Sequence, residues 1–401
     1  MKKILLIIAG ILGVANANAD ESVQKIYEEE VPKGFSSPMQ WRVGVEVAPA
    51  YPLPTNTFLQ GDNVYGERVN AAFAGTLRGD FSFNPRSREG RLYHGLYQGI
   101  GLDMRTFFHK RLLDNPVSLY ILQGAPVKHF SDRLWLGYEW RFGAAFGWAD
   151  RSRDYADYAF YPAISTRVTA HMGVSLKLNY ALSERWQLSF GMDATHFSNG
   201  NTSFPNAGIN SIGLSAGVSY VINPQPETYD PTPEMLAEAN RKRWIWDVLA
   251  YGAWRKRQVH IEDTGPVLSG TYGVAGIQLS SLRKFNRYFC AGFALDMKYD
   301  SSAGKEPYWL GGYYSDMKFA RPPFFKQCSL GIGGVAELNM PIFTVGAGIG
   351  VDVVSPVGDK RFYQLLYIKA FVTEHLYLNA GYRLGDFKEP QNLMLGMGVR
   401  F

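Results

Sequence analysis

The stretch LSFGMDATHFS, residues 188–198, alternates apolar and polar side chains with a period of two. One set of alternate positions is apolar until its last two members: Leu188, Phe190, Met192, Ala194, His196 and Ser198. The other set holds Ser189, Gly191, Asp193, Thr195 and Phe197. Because successive side chains of a strand point to opposite faces, this pattern predicts a strand with one face towards an apolar medium. The segment INSIGLSAGVSY, residues 209–220, repeats the pattern.

The first residues have the pattern of an export signal. Lys2 and Lys3 precede an apolar run that ends in small residues, so residues 1–19 are predicted to be a cleaved signal peptide. Without the two lysines, 39 basic residues stand against 36 acidic ones, a formal charge of +3 without clustered basic stripes, which argues against a nucleic-acid partner. An exported chain whose strands have an apolar face, with 14% aromatic residues, predicts an all-β fold: an antiparallel β-barrel in the bacterial outer membrane.

Segments of about ten residues with strand-like alternation recur on both sides of a Pro-rich break. The predicted strands are 41–51, 68–83, 94–106, 117–125, 133–147, 167–181, 186–198 and 208–222, followed by 244–256, 268–282, 287–299, 326–339, 341–354, 361–372, 375–386 and 391–401. The two sets form an internal repeat, since YQGIGLDMR (97–105) resembles CAGFALDMK (290–298). LSERWQLSFG (182–191) likewise resembles VTEHLYLNAG (372–381) at an offset of 190.

The repeat predicts the domain organisation. After the signal peptide, residues 20–222 form a first barrel, 223–243 a linker with a short helix near 233–241, and 244–401 a second, barrel-like repeat. Periodicity is compatible with two tandem eight-stranded barrels or with one sixteen-stranded barrel. The long linker favours two barrels.

Polar residues gather at one end of the predicted lipid-facing wall. His196 and Ser198 share that face, and the hairpin 198–208 brings Asn210 of the next strand to the same end. Polar groups facing lipid are costly, and a Ser beside a His with a third polar group is the minimal arrangement for an activated nucleophile. The alternative is an ordinary turn rich in Asn, Gly and Pro. The candidate catalytic residues are His196, Ser198 and Asn210, and the candidate amide donors for an oxyanion are Asn199, Gly200 and Asn206.

The run HFSNGNTSFPNAGIN, residues 196–210, resembles the signature of the PagL-type lipid A 3-O-deacylases, small outer-membrane barrels that remove an ester-linked acyl chain from lipid A. The match comprises His-x-Ser-Asn and then Pro-Asn-x-Gly, and with the flanking strands it extends over about residues 40–222. The resemblance implies that Ser198 is the nucleophile and His196 its general base, with Asn199 and Asn206 helping the oxyanion site. It also implies hydrolysis through an acyl-enzyme without a metal or cofactor, and lipid A or lipopolysaccharide of the outer leaflet as the partner.

The chain departs from the family pattern in two places. Asn210 stands where the family has a glutamate, and an amide can hold an imidazole tautomer but supplies no charge. At the offset of 190, His196 and Ser198 correspond to Asp386 and Lys388, so the second repeat is expected to be a degenerate, catalytically silent copy. A non-catalytic structural or lipid-binding barrel therefore remains an alternative, as does a passive pore, which would need sixteen strands. The sequence pattern indicates no oligomeric state.

Overall fold

A computed structural model places most of the chain. It describes residues 39–158, 160–225, 228–256, 270–305, 307–309, 317–320, 322–356, 360–387 and 389–401. The predicted signal peptide, the residues up to 38 and Lys388 lie outside the described residues.

The first half of the chain forms a closed barrel of eight antiparallel strands, each paired with its neighbour in sequence. The barrel closes where the first strand pairs with the eighth, with Val45 opposite Val218. The strands are β1 (Met39–Pro52), β2 (Ala72–Phe83), β3 (Tyr97–Thr106), β4 (Val117–His129), β5 (Leu134–Phe146), β6 (Val168–Ala181), β7 (Trp186–Ser198) and β8 (Ile209–Val221). Each of the eight overlaps a strand predicted from alternation, with ends that differ by up to four residues.

The second half forms its own closed barrel, because its last strand pairs back onto its first, with Val399 opposite Val248. Its strands are β9 (Trp244–Arg255), β10 (Tyr272–Lys284), β11 (Phe289–Asp300), β14 (Cys328–Asn339), β15 (Phe343–Val354), β16 (Phe362–Phe371), β17 (Leu376–Gly385) and β18 (Glu389–Arg400). Strands β12 (Pro307–Trp309) and β13 (Met317–Phe319) form a separate hairpin that the sequence did not predict. The alternative of one sixteen-stranded barrel is wrong, since β8 pairs with β1 and not with β9.

The outward and inward faces of the strands differ as a membrane barrel requires. On β7, outward Phe190 is 56% exposed and Met192 is 67% exposed, while Asp193, the inward residue that follows Met192, is 7% exposed. Buried charges need partners, and the inward ones have them. Lys177 Nζ lies 2.6 Å from Glu46 Oε2 and 2.9 Å from Glu139 Oε1.

The interior of the second barrel is also occupied by paired charges. Arg383 contacts both Asp352, at 2.6 Å, and Asp296. Arg400 Nη2 lies 2.7 Å from Asp247 Oδ2 and is likewise paired with Glu337. Each barrel has eight strands and an interior filled by side chains. The passive-pore alternative needed one barrel of sixteen strands, which this fold does not have.

The connections at the two ends of the first barrel differ in length. The loops that follow β1, β3, β5 and β7 cover 53–71, 107–116, 147–167 and 199–208, and we call this end the long-loop end. At the opposite end two turns have only four residues, 130–133 and 182–185, whereas the segment between β2 and β3 is longer. Short helices cover Arg88–Leu92, Lys110–Leu113, Ser152–Tyr158 and Pro233–Ala239, and 3₁₀ turns cover Phe58–Gln60 and Phe324–Gln327. No helix in the described ranges is both long and apolar enough to cross a membrane.

The long loops of the first barrel fold together over the barrel mouth. Apolar side chains of these loops and of the adjoining strand ends form one buried cluster that includes Phe107, Trp148 and, from β7, Phe197. The Trp148 ring centre lies 5.6 Å from that of Phe107 and 5.2 Å from that of Phe197, and its Nε1 donates to Thr169 Oγ1 at 2.9 Å. We call this group the mouth cluster. It fixes the end of β7 from the inside.

Candidate active site

The candidate residues lie on the outward wall of the first barrel at the long-loop end. His196 and Ser198 are half-buried and end the outward row of β7, while Phe197 between them is fully buried in the mouth cluster. Anchoring Phe197 inside fixes the two neighbouring side chains on the outside, because side chains alternate along a strand. The register of β7 and β8 places His196 directly opposite Asn210.

The imidazole of His196 is held by the amide of Asn210. His196 Nδ1 lies 2.7 Å from Asn210 Oδ1, and Asn210 Nδ2 donates to Thr55 Oγ1 at 3.2 Å. An amide oxygen can only accept, so the proton of the neutral ring is on Nδ1 and Nε2 has a free lone pair. With this contact the ring is fixed on its Nδ1 side, and its Nε2 lone pair is available to accept a proton.

Ser198 lies next to His196 on the same face and ends the strand. Its backbone is opposite Ala170 of β6. Among the residues that the structure describes, neither Ser198 Oγ nor His196 Nε2 has a hydrogen-bond partner. The hydroxyl and the lone pair that would accept its proton are therefore both unoccupied by other groups of the described chain.

The loop that follows Ser198 is tied together by Asn199. The backbone N–H of Asn199 donates to Asn206 Oδ1 at 3.2 Å, and its side-chain Nδ2 donates to Ser203 O at 3.2 Å and to Ser165 Oγ at 3.4 Å. Gly200, in the left-handed region at φ +62°, keeps its N–H without an acceptor in the described part of the chain, as does Asn206 Nδ2. Asn199 thus supports the loop, whereas the N–H of Gly200 and Nδ2 of Asn206 remain available as donors.

Gly208 packs against the imidazole, a contact that the candidate list from the sequence did not contain. Its φ is +71°, and a Cβ placed there would lie 3.1 Å from His196 Cε1 and 3.2 Å from Phe197 O. Its N–H donates to Ala163 O at 2.9 Å, and its carbonyl accepts from Asn56 Nδ2 at 2.8 Å. In the sequence only the Pro-Asn-x-Gly run, residues 205–208, pointed to this glycine, and its contact with His196 depends on the fold.

The first long loop also reaches the site. Leu53 N donates to Asn210 O at 2.7 Å, in addition to the contacts of Thr55 and Asn56 with the hairpin 199–210. These residues lie more than 140 positions from the hairpin, and no local signal in the sequence links them to it.

The second barrel has a different arrangement at the corresponding position. Asp386 follows β17 in a turn at φ +46° and forms an exposed ion pair with Lys360, at 3.5 Å. Lys388, which corresponds to Ser198, lies outside the described residues.

Both halves of the chain match models of known protein families. Residues 92–219 match the model described as lipid A 3-O-deacylase (PagL), and residues 244–401 match the model described as acyloxyacyl hydrolase, C-terminal domain. The chain belongs to the PagL-type lipid A 3-O-deacylase (acyloxyacyl hydrolase) family, as the His-x-Ser run predicted. Family and barrel architecture together place it in the bacterial outer membrane.

Similar solved structures share little sequence with the chain. Neisserial surface protein A is 14% identical over 45% of this chain and 96% of its own, with a TM-score of 0.30. Omp33 of Acinetobacter baumannii is 8% identical over 91% of this chain and 99% of its own, with a TM-score of 0.14. No curated protein sequence matches the chain.

Proposed function

We propose that the first barrel removes an ester-linked acyl chain from lipid A, by 3-O-deacylation, through a serine acyl-enzyme. The observation that carries the proposal is the 2.7 Å contact between His196 Nδ1 and Asn210 Oδ1 on the outward wall, with Ser198 on the same face. That contact leaves Nε2 free to accept a proton from a hydroxyl group.

In the acylation step, Ser198 Oγ attacks the ester carbonyl while His196 Nε2 takes the hydroxyl proton. The negative charge of the tetrahedral intermediate falls on the carbonyl oxygen, and we assign its stabilisation to the N–H of Gly200 and Nδ2 of Asn206, which have no acceptor in the described part of the chain. As the intermediate collapses, the imidazolium gives its proton to the departing sugar oxygen. The products of this step are a free sugar hydroxyl and an acyl group esterified to Ser198.

In the deacylation step, water attacks the acyl-enzyme and His196 Nε2 accepts a proton from it. Collapse of the second intermediate returns that proton to Ser198 Oγ and releases the fatty acid. Asn210 keeps its hydrogen bond to Nδ1 throughout and so holds the ring in one orientation, but as a neutral group it gives the imidazolium less support than a carboxylate.

The surroundings of the site suit a membrane amphiphile. Met192 and Ile212, two of the outward residues towards the middle of the wall, are 67% and 51% exposed and offer an apolar surface for an acyl chain. Longer loops lie on the external side in outer-membrane barrels, which orients the long-loop end towards the outer leaflet, where lipid A resides. The site therefore lies at the level where ester carbonyls meet the apolar wall.

We assign this activity to a domain spanning residues 20–222 and regard the linker 223–243 and the second barrel, 244–401, as supporting parts. The second barrel lacks a His-x-Ser pair at the position equivalent to the site.

A long-chain p-nitrophenyl phosphonate tests the serine mechanism directly, because an activated serine displaces p-nitrophenolate and retains the phosphonyl group. With the full protein in detergent micelles, we expect one adduct, located at Ser198 by peptide mass spectrometry. Ser198→Ala should give no adduct, and His196→Ala should slow labelling by roughly 100-fold or more. Ser203→Ala is the matched control in the same loop and should label at the wild-type rate. An adduct that persists in Ser198→Ala would contradict the proposal.

A non-catalytic lipid-binding barrel is the second candidate. The neutral Asn210 in place of the family glutamate is the observation that favours it. This candidate predicts that wild type and Ser198→Ala behave alike towards the phosphonate.

A further inference from the structure

Asn210 creates a problem that a carboxylate at the same position would not have. Both oxygens of a carboxylate accept hydrogen bonds, whereas an amide presents an acceptor on one side and a donor on the other. If Asn210 turned its NH₂ group towards His196 Nδ1, that nitrogen would have to be an acceptor and the ring proton would move to Nε2. His196 could not then accept the proton of Ser198.

The first long loop supplies the contact that distinguishes the two orientations. Asn210 Nδ2 donates to Thr55 Oγ1 at 3.2 Å, and the Thr55 hydroxyl directs its own proton towards Leu53 O at 3.5 Å. The 3.2 Å contact uses the oxygen of Thr55 as an acceptor, and Leu53 O is the neighbouring acceptor for the hydroxyl proton, so this arrangement favours Nδ2 towards Thr55 and Oδ1 towards His196.

Thr55 is held at this place by the backbone around it. Leu53 N donates to Asn210 O at 2.7 Å, Thr55 N donates to Leu53 O at 2.7 Å, and Asn56 Nδ2 donates to Gly208 O at 2.8 Å. The loop is thus attached to the β8 end of the hairpin, at Gly208 and Asn210, and Thr55 lies between the two attached residues Leu53 and Asn56.

We propose that Thr55 is a positioning residue: it orients the Asn210 amide and thereby selects the Nδ1-protonated tautomer of His196. The inference rests on the proposed esterase function and extends it, because it explains how a triad with an amide as third member keeps its histidine in the basic form. In the described part of the chain, Thr55 has no hydrogen bond to Ser198 or His196 and acts through Asn210.

The test measures Thr55→Val, which keeps the branched shape without the hydroxyl, in the wild-type protein and in Asn210→Asp. With Asn210 present, the lost hydrogen bond should lower kcat for lipid A by three- to tenfold with little change in KM. In an Asn210→Asp background the same substitution should change kcat by less than about twofold, because either carboxylate oxygen can accept from Nδ1. Thr55→Ser should retain activity, and Thr57→Val is the control for the same change in the same loop.

A second readout does not depend on turnover. Imidazole ¹⁵N chemical shifts distinguish the two neutral tautomers of His196, and we expect Nδ1–H in wild type and a mixture in Thr55→Val. Equal losses of kcat in the Asn210 and Asp backgrounds would overturn the inference, since they would mean that Thr55 only supports the loop. If wild type and Asn210→Asp both release no fatty acid, the esterase proposal fails. In that case an unchanged Nδ1–H signal in Thr55→Val would separately overturn the role of Thr55.

Discussion

Gly208→Ala should displace the imidazole of His196 while the barrel stays folded. The added methyl would lie 3.1 Å from His196 Cε1 and 3.2 Å from Phe197 O, closer than ordinary contact. Phe197 is fixed in the mouth cluster, so the ring of His196 must give way, by a few tenths of an ångström. Since a misplacement of about 1 Å can lower a rate by about 100-fold, we expect roughly a tenfold lower kcat.

The left-handed backbone conformation of Gly208 adds a separate loss of stability. A control variant at another left-handed glycine measures that loss alone. A non-glycine residue in the left-handed region costs about 1–2 kcal/mol, and Gly208 at φ +71° shares this conformation with Gly66 at φ +64°. No atom lies within 4 Å of a Cβ built on Gly66, so Gly66→Ala carries the backbone penalty without the contact. The assay measures fatty-acid release from lipid A in micelles, with heat-dependent mobility on gels as the test of folding.

We expect both variants to unfold at a somewhat lower temperature and only Gly208→Ala to lose activity. Wild-type kcat in Gly208→Ala, or an equal loss in Gly66→Ala, would refute the reasoning that the glycine maintains the position of His196.

Three further outcomes follow from the contacts described above. Asn210→Asp, which keeps the size of the side chain and adds a charge, should raise kcat by roughly five- to tenfold. The reason is that hydrogen bonds to charged groups are stronger than neutral ones by about 1 kcal/mol. Asn115→Asp, which adds the same charge at the same end of the barrel, should leave kcat unchanged. Lys177→Met should lower the free energy of unfolding by about 3 kcal/mol in urea titrations, since buried Glu46 would keep only Arg141, at 4.0 Å, whereas Glu139 keeps Arg78 at 2.8 Å; a change below about 1 kcal/mol would contradict this role. Asp386→Ala in the second barrel should leave lipid A deacylation unchanged and alter stability by less than about 1 kcal/mol, because its ion pair is exposed.

The strands of both barrels were predictable from the sequence because their side chains alternate between lipid and a polar interior. That alternation placed His196 and Ser198 on the outward face and Asn210 opposite them. Closure into two barrels was favoured only by the long linker, and the structure confirms it; alternation could not decide it, since the pairing of β1 with β8 joins segments about 170 residues apart and leaves no local mark. The hairpin β12–β13, outside both barrels, was missed because each strand has only three residues.

The contacts that support the site could not be predicted from the sequence for the same reason. Thr55 and Asn56 have no alternation or motif that connects them with Asn210 and Gly208, and they reach the hairpin only because the barrel brings the first and last long loops together. Inside the barrel, period two places Lys177 on the inward face, but its pairing with Glu46 depends on the closed fold. Sequence patterns thus identify which face a residue occupies, and the fold determines which residue it meets.

The central claim is that Ser198 removes an ester-linked acyl chain from lipid A. Mass spectrometry of lipid A from cells that express wild type, Ser198→Ala or an empty vector tests it most directly, with outer-membrane folding of both proteins checked in parallel. We expect a mass loss equal to one ester-linked hydroxyacyl chain with wild type alone. Identical lipid A spectra from all three strains, with both barrels folded in the outer membrane, would contradict the claim.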